Sequence, residues 1–286
     1  MCGFSKETLP DVDAESFLQQ FESAYNIADK EFLVKIYVSG SFFNHMEVPV
    51  EVRDSILETL SHDERVMKVT VESRPEFLNE ETLKAVPGRD KLEVAIGLET
   101  ADDHVRSRCI NKGFTFKDYL QSVEIAGKSG LKVKTYLLLK PPHLTEKEAI
   151  EDAVGSARMI PPESQTLSLN PSTVHRHTKV EDMWRDNLYR PPWIWSVIEV
   201  ALEVKRMDAR PLFIDTSGFK TSRGPRNCGK CDHYLTKRVK KFSATQDVSL
   251  LEGLDCNCKN TWEETLELEK WVIGAPLPIP KIPKGI

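Results

Sequence analysis

The 286-residue sequence predicts an α/β fold built on a parallel sheet, with a small cysteine-rich module behind it. Three observations carry this expectation. Apolar runs of strand length alternate with segments of helical periodicity, polar residues recur directly after those runs, and four of the six cysteines crowd into residues 228–258. A chain of this length buries a sizeable core and suits one large domain with an appendix. The expected division is 1–215 for a barrel-like domain and 216–286 for a basic, cysteine-rich module with a proline-rich tail.

The elements follow in order. Residues 11–31 are polar, with Phe17, Leu18, Phe21 and Tyr25 at helical spacing. Residues 32–38 (FLVKIYV) read as a buried strand entering a tight turn at Ser39-Gly40-Ser41. Pro49 suits the first turn of a helix with Val52, Ile56 and Leu60 on one face. Residues 66–71 form the next strand and deliver Glu72, Ser73 and Arg74 at its end. Residues 92–98 are a strand ending in Glu99-Thr100. Thr115 to Asp118 reads as a capping box opening a helix, which Gly130 stops. Residues 131–139 are the most apolar strand. Thr145 to Glu148 caps a helix ended by Pro161-Pro162; a strand at 165–169, a helix at 193–207 and a short strand at 212–214 complete the alternation.

Such a sheet is either open and doubly wound or rolled into a full or partial barrel. No glycine-rich dinucleotide fingerprint follows the first strand, which disfavours a Rossmann domain. Ser39/Ser41, Glu72/Arg74, Glu99/Thr100, Lys140 and Asn170 each follow the C-terminal end of a strand, and in a barrel those ends share one mouth. Singly, each also reads as an ordinary turn residue.

Composition is that of a water-soluble protein, at 40% apolar and 29% charged. No stretch approaches the ~20 apolar residues of a membrane span, and Lys6, Glu7 and Asp11 exclude a signal-peptide core. A cytoplasmic location without a membrane partner is expected. Disulfides are rare there, so the cysteines read as metal-binding thiolates or core thiols, Cys109 among the latter. Cys228-x-x-Cys231 and Cys256-x-Cys258 supply four thiolates that suit one zinc ion; an auxiliary iron-sulfur cluster or free thiols are the alternatives. Net charge is -5, yet residues 220–241 are +7 and the remainder -12. With Phe219, Tyr234 and Phe242 interleaved, the basic residues of this segment flank a metal-folded hairpin beside the barrel mouth and suit contacts to RNA, with Arg223, Arg226 and Lys230 as candidates and His175 and His177 at the same opening. A solvated basic face is the plainer alternative.

Several stretches carry a family resemblance: VTVESRP (69–75), VAIGLET (94–100), Asn111-Lys112-Gly113 and residues 136–142. They resemble the successive barrel strands of radical S-adenosylmethionine (SAM) enzymes. SGSFF (39–43), INKGF (110–114), YRPPW (189–193) and RGPRNCGKCD (223–232) are similar, more narrowly, to the archaeosine synthase β-subunit family. The resemblance implies a partial TIM-like barrel lacking its first strand. It also implies a [4Fe-4S] cluster held by a C-x-x-x-C-x-x-C loop whose last cysteine is followed by Gly-Phe, as Cys2 is by Gly3-Phe4. The first two cysteines are then expected upstream of Met1. Cofactor contacts are implied for Cys2, Phe4, Ser39, Gly40, Ser41, Glu72, Arg74, Glu99 and Asn170, with the glutamate usual at the Ser39-Gly40-Ser41 turn missing. The implied chemistry reduces SAM to methionine and a 5'-deoxyadenosyl radical. The implied function is conversion of a lysine-bearing 7-deazaguanine nucleotide in archaeal tRNA to archaeosine by C–N cleavage, with tRNA and a lysine-transferring α subunit as partners. Alternatives are methylthiotransferase or elongator-like chemistry, or an RNA-binding relic without its cluster.

Overall fold

The computed structural model describes residues 3, 9, 12–27, 30–38, 40–84 and 86–271. Cys2, Phe4, Ser39 and the proline-rich tail, all singled out from the sequence, lie outside them. Six strands pair in parallel in simple chain order: β1 (Phe32–Ile36), β2 (Val66–Ser73), β3 (Leu92–Glu99), β4 (Lys132–Leu139), β5 (Ser164–Pro171) and β6 (Leu212–Ile214). A doubly wound sheet reverses its order at a switch point; here each strand is laid beside the last, and the sheet curls into a partial barrel.

Strand side chains alternate between two environments, as a period of two requires. One face carries Val69, Val71, Val94, Ile96, Leu98, Leu137, Leu139, Leu167 and Leu169, all buried in the core. The other is polar for most of its height. Register sets Glu72 beside Ala95, and Gly97 beside Tyr136, which in turn faces Ser168. The polar face is the interior of the half-barrel, and it is where ligands enter such folds. One expectation is corrected: β1 is not buried. It pairs only with β2 among the described residues, and its side chains alternate between half-buried and exposed, Leu33 being 60% exposed.

Helices cover the apolar face. Those used below are α2 (Val50–His62), α5 (Phe116–Lys128), α6 (Glu146–Met159), α7 (Lys179–Arg185), α8 (Ile194–Met207), α9 (Asp232–Thr245) and α10 (Cys258–Leu268); α1 (Ala14–Tyr25), α3 (Glu80–Lys84) and α4 (Asp103–Val105) are the others. Both capping boxes form as the sequence predicts. Thr115 accepts from the Asp118 N–H and Thr145 from the Glu148 N–H, with the acid side chains returning the bond.

The basic segment is also corrected. Residues 232–245 are α9, not part of a hairpin, because Leu235, Val239 and Phe242 form an i, i+4, i+7 stripe that packs into the core. Phe219 is buried with them, which leaves Tyr234 as the exposed aromatic of the three.

A buried polar knot ties the C-terminal helices to the barrel. Glu146, fully buried at the start of α6, accepts from Lys140 Nζ, from the Trp193 N–H (2.7 Å) and from Ser196 Oγ (2.6 Å). Trp262 Nε1 of α10 donates to the same Ser196 at 2.8 Å, and Glu269 accepts the Glu146 N–H at 2.5 Å. Burial pushes the Glu146 carboxyl up, but Lys140 and Arg190 outweigh it and hold the group below its ordinary value.

Candidate functional site

The turn after β1 is built on a carboxylate that sequence reasoning missed. Glu47 accepts the Ser41 N–H at 2.9 Å and the Asn44 amide at 2.7 Å. It fills the space beside Gly40, where a Cβ would overlap the Glu47 carboxylate. The glutamate expected and not found in the turn itself is thus matched by one from six residues beyond Ser41. Ser41 is fully buried, and its Oγ accepts the Arg74 N–H at 2.9 Å, tying the turn to the end of β2.

At the ends of β2 to β4 the interior side chains converge. Glu99, held at φ +68°, pairs with Lys112 at 2.6 Å. Gly97 leaves the room for this pair: a Cβ there would lie 2.7 Å from Lys112 Nζ and 2.8 Å from Glu99 Oε1. Lys112 is aimed by its loop. Arg106, fully buried, donates to the Thr100 carbonyl at 2.5 Å and the Phe114 carbonyl at 2.9 Å, while its own carbonyl accepts the N–H groups of Asn111 and Lys112. The Glu72 carboxylate and the Tyr136 hydroxyl are close enough to act on each other electrostatically. Burial raises the Glu72 carboxyl, partly offset by Tyr136 and Lys112, with Glu99 adding repulsion. Burial and the Glu72 charge raise the Tyr136 hydroxyl as well.

Not every strand-end residue faces this interior. Thr100 turns toward α6, donating to Asp152 at 2.6 Å, and Lys140 turns to Glu146. Asn170, two residues beyond Ser168 and so on the interior face with it, accepts from Ser168 Oγ at 3.1 Å.

The second centre is made of thiols. Cys228, Cys231, Cys256 and Cys258 bring their sulfurs within 4.8 Å of one another. The Cys228–Cys231, Cys228–Cys256 and Cys231–Cys258 separations are 3.9, 3.8 and 3.6 Å. Four sulfurs bound to one tetrahedral ion at about 2.3 Å stand roughly 3.8 Å apart. An iron-sulfur cluster interposes irons and sulfides between its cysteines and holds four of them at wider spacing. The site therefore fits a single thiophilic ion.

Comparison with known proteins decides the family. A radical SAM superfamily model matches residues 1–153. The archaeosine synthase subunit beta of Methanosarcina acetivorans is 40% identical over 284 residues, covering 97% of this chain and 82% of that protein. Its namesake from Thermococcus kodakarensis is 42% identical over 242 residues, covering 82% and 74%. The chain belongs to the radical SAM superfamily and, within it, to the archaeosine synthase subunit beta family. Among solved structures, the archaeal Methanocaldococcus infernus Elp3 with an N-terminus deletion superimposes with a TM-score of 0.55 at 16% identity. It covers 86% of this chain and 60% of the Elp3 chain, and that likeness concerns the fold alone.

Radical SAM membership implies SAM and a [4Fe-4S] cluster. Among the described residues, Cys109 is the one cysteine outside the four-thiol centre, so the described chain contains no second thiolate set for that cluster. Gly3 is described, and a Cβ there would lie 3.1 Å from the Arg176 carbonyl and 3.5 Å from His175 Cβ. That places the backbone beside Cys2 against the loop that follows β5. For SAM, the polar interior and the Glu47-filled turn offer charged and hydrogen-bonding groups at the strand ends.

The RNA candidates divide. Arg223 pairs with Glu181 of α7 at 2.5 Å, lies 4.8 Å over the Trp184 ring and donates to the Val174 carbonyl at 3.2 Å. It braces the loop bearing His175 and His177 through the Val174 carbonyl and through Glu181, which also accepts the His177 N–H at 2.7 Å. Arg226 is half-buried, and burial lowers its guanidinium. Lys230 is exposed.

Proposed function

We propose that this chain is the radical SAM subunit that completes archaeosine in tRNA. It cleaves the C–N bond on the lysine side of the adduct, so that the lysine's side-chain nitrogen stays on the 7-deazaguanine nucleotide and completes the formamidine of archaeosine. The observation that carries the reading is the 40% and 42% identity, over most of the chain, to proteins named archaeosine synthase subunit beta. A β subunit implies a partner, and the lysine-transferring α subunit is the one that would supply this substrate.

The SAM and cluster pair supplies radical chemistry when bound. The chain's own residues position and shield it. Gly40 and Ser41, with Ser39 of the same turn, and Arg74 lie where the amino-acid end of SAM is expected. Glu72, Glu99 and Asn170 line the interior for its ribose or for the substrate. Cys2, followed in sequence by Gly3-Phe4, is the cluster ligand within this sequence. The half-barrel wall shields this volume on one side, and the Glu99–Lys112 pair holds two opposite charges in fixed positions there. We further propose that Cys228, Cys231, Cys256 and Cys258 hold one zinc ion, on the sulfur spacing and the all-thiolate donor set.

Nucleoside analysis of tRNA tests the reading in cells. An archaeal strain lacking its own β subunit should accumulate the lysine-bearing nucleoside, and this gene should restore archaeosine. Persistence of the lysine-bearing nucleoside in the presence of the expressed protein would sink the proposal.

A further inference from the structure

We infer that the outward face of α9 is the surface that grips the tRNA backbone, with Tyr234 as a stacking platform for an unpaired base; this rests on the tRNA-modifying reading above. The helix starts at the thiolate centre, with Cys231 as its capping residue, and its inner stripe of Leu235, Val239 and Phe242 is fully buried. The opposite side presents Tyr234, Lys237, Lys240 and Lys241 to solvent, with Lys230 exposed just before the helix. Within the helix, positions 234, 237 and 241 recur at helical spacing with Lys240 alongside, so Tyr234 and the three lysines share one outward face.

That face is not neutralised. The one acid of residues 220–241, Asp232, is buried and accepts the N–H groups of Asn227 and Gly229, both at 3.1 Å. Among the described residues no ion pair involves Lys230, Lys237, Lys240 or Lys241. Elsewhere on the surface, Lys128 pairs with Glu124 on α5 and Arg206 with Glu203 on α8. An uncompensated cationic face on a chain of net charge -5 concentrates positive potential where a polyanion is attracted.

Three features choose RNA. The apolar side of α9 is committed to the protein core and cannot enter a membrane. Tyr234 is 50% exposed, and the Arg238 guanidinium lies 5.5 Å from its ring centroid, a cation-backed aromatic surface that suits a splayed base. At 14 residues and about 1.5 Å per residue, the helix is long enough to follow several successive phosphates. Arg223, by contrast, is engaged by Glu181 and Trp184, and Arg226 is half-buried.

Affinity of the full gene product for an unmodified tRNA transcript, measured across a KCl series, tests this. Lys237→Gln, Lys240→Gln and Lys241→Gln together should weaken binding at least tenfold and shallow the log–log salt slope by about 2 to 3. Tyr234→Ala should weaken it about five- to tenfold with the slope unchanged. Both variants should keep the wild-type metal content and melting temperature, since every substituted side chain is exposed, and Lys128→Gln should bind as wild type. Wild-type affinity and slope in the triple variant would overturn the inference while leaving the enzyme reading intact. Loss of α-subunit binding with tRNA binding unchanged would also overturn it, and would assign the face to an acidic protein. Failure of the wild-type protein to bind tRNA at all would overturn both readings.

Discussion

Trp195 of α8 donates its indole N–H to the sulfur of Cys258 at 3.3 Å, so the thiolate centre is hydrogen-bonded to a helix of the barrel. Asn227 Nδ2 reaches Cys231 from the other side at 3.5 Å, and its Oδ1 accepts the Ile194 N–H at 2.8 Å. Donors of this kind orient thiolates and stabilise their charge. One zinc per chain is expected by metal analysis, and Trp195→Phe should lower metal affinity about 10- to 100-fold. Cys258→Ser should release the ion and increase amide exchange in α9 and α10. Full-length protein that contains no zinc and keeps α9 protected would contradict the assignment.

Glycine substitutions separate close approach from simple flexibility. Gly40→Ala drives a methyl into Glu47, and Gly97→Ala drives one into the Glu99–Lys112 pair. Each displaces the end of a flexible side chain and breaks its hydrogen bond or ion pair, and should cost about 0.5–1.5 kcal/mol in denaturant melts. Gly155→Ala, within α6 with no atom near its Cβ position, should instead stabilise by about 0.5–1 kcal/mol. A uniform response of the three sites would show that the contacts do not matter.

The Lys140–Glu146 pair is buried on both sides, at 3% and 0% side-chain exposure. Lys140→Met strands a buried carboxylate and should cost about 3–5 kcal/mol. Adding Glu146→Gln should return most of that loss, because the charge needing compensation is gone. A double variant no more stable than the single one would mean that Glu146 acts through its shape alone.

Asp152 sets a pH dependence. Burial pushes its carboxyl up to about 6, despite the Thr100 hydroxyl that donates to it, and Asp102 adds repulsion. An acid whose folded pKa is raised binds more protons folded than unfolded. Its contribution is therefore favourable below the ordinary value of 3.8 and is lost as pH rises toward 6. Asp152→Asn should accordingly gain in melting temperature relative to wild type between pH 4 and pH 7, and an equal difference at both pH values would refute the shift.

The barrel was legible because its strands are nearly continuous apolar runs whose ends are punctuated by Gly, Pro and capping residues. Both capping boxes needed only four adjacent residues. The thiolate centre was legible from two close cysteine pairs. What escaped was tertiary in origin. Glu47 meets Gly40 through a turn whose path no local pattern states, and Lys112 meets Glu99 only because Arg106 folds its loop back. Lys140 and Arg223 looked like free cations in the sequence, and the buried Glu146 and Glu181 that claim them lie 6 and 42 residues away. In α9 the dense charge and the nearby Cys-x-x-Cys masked a clear apolar stripe at positions 235, 239 and 242.

The central claim is tested most directly with purified full gene product, reconstituted anaerobically and given tRNA that carries the lysine adduct. With SAM and a reductant, nucleoside mass analysis should show the adduct disappearing and archaeosine appearing in equal amount, together with 5'-deoxyadenosine. Formation of 5'-deoxyadenosine with the lysine adduct intact, or conversion of that nucleoside to anything other than archaeosine, would contradict the account.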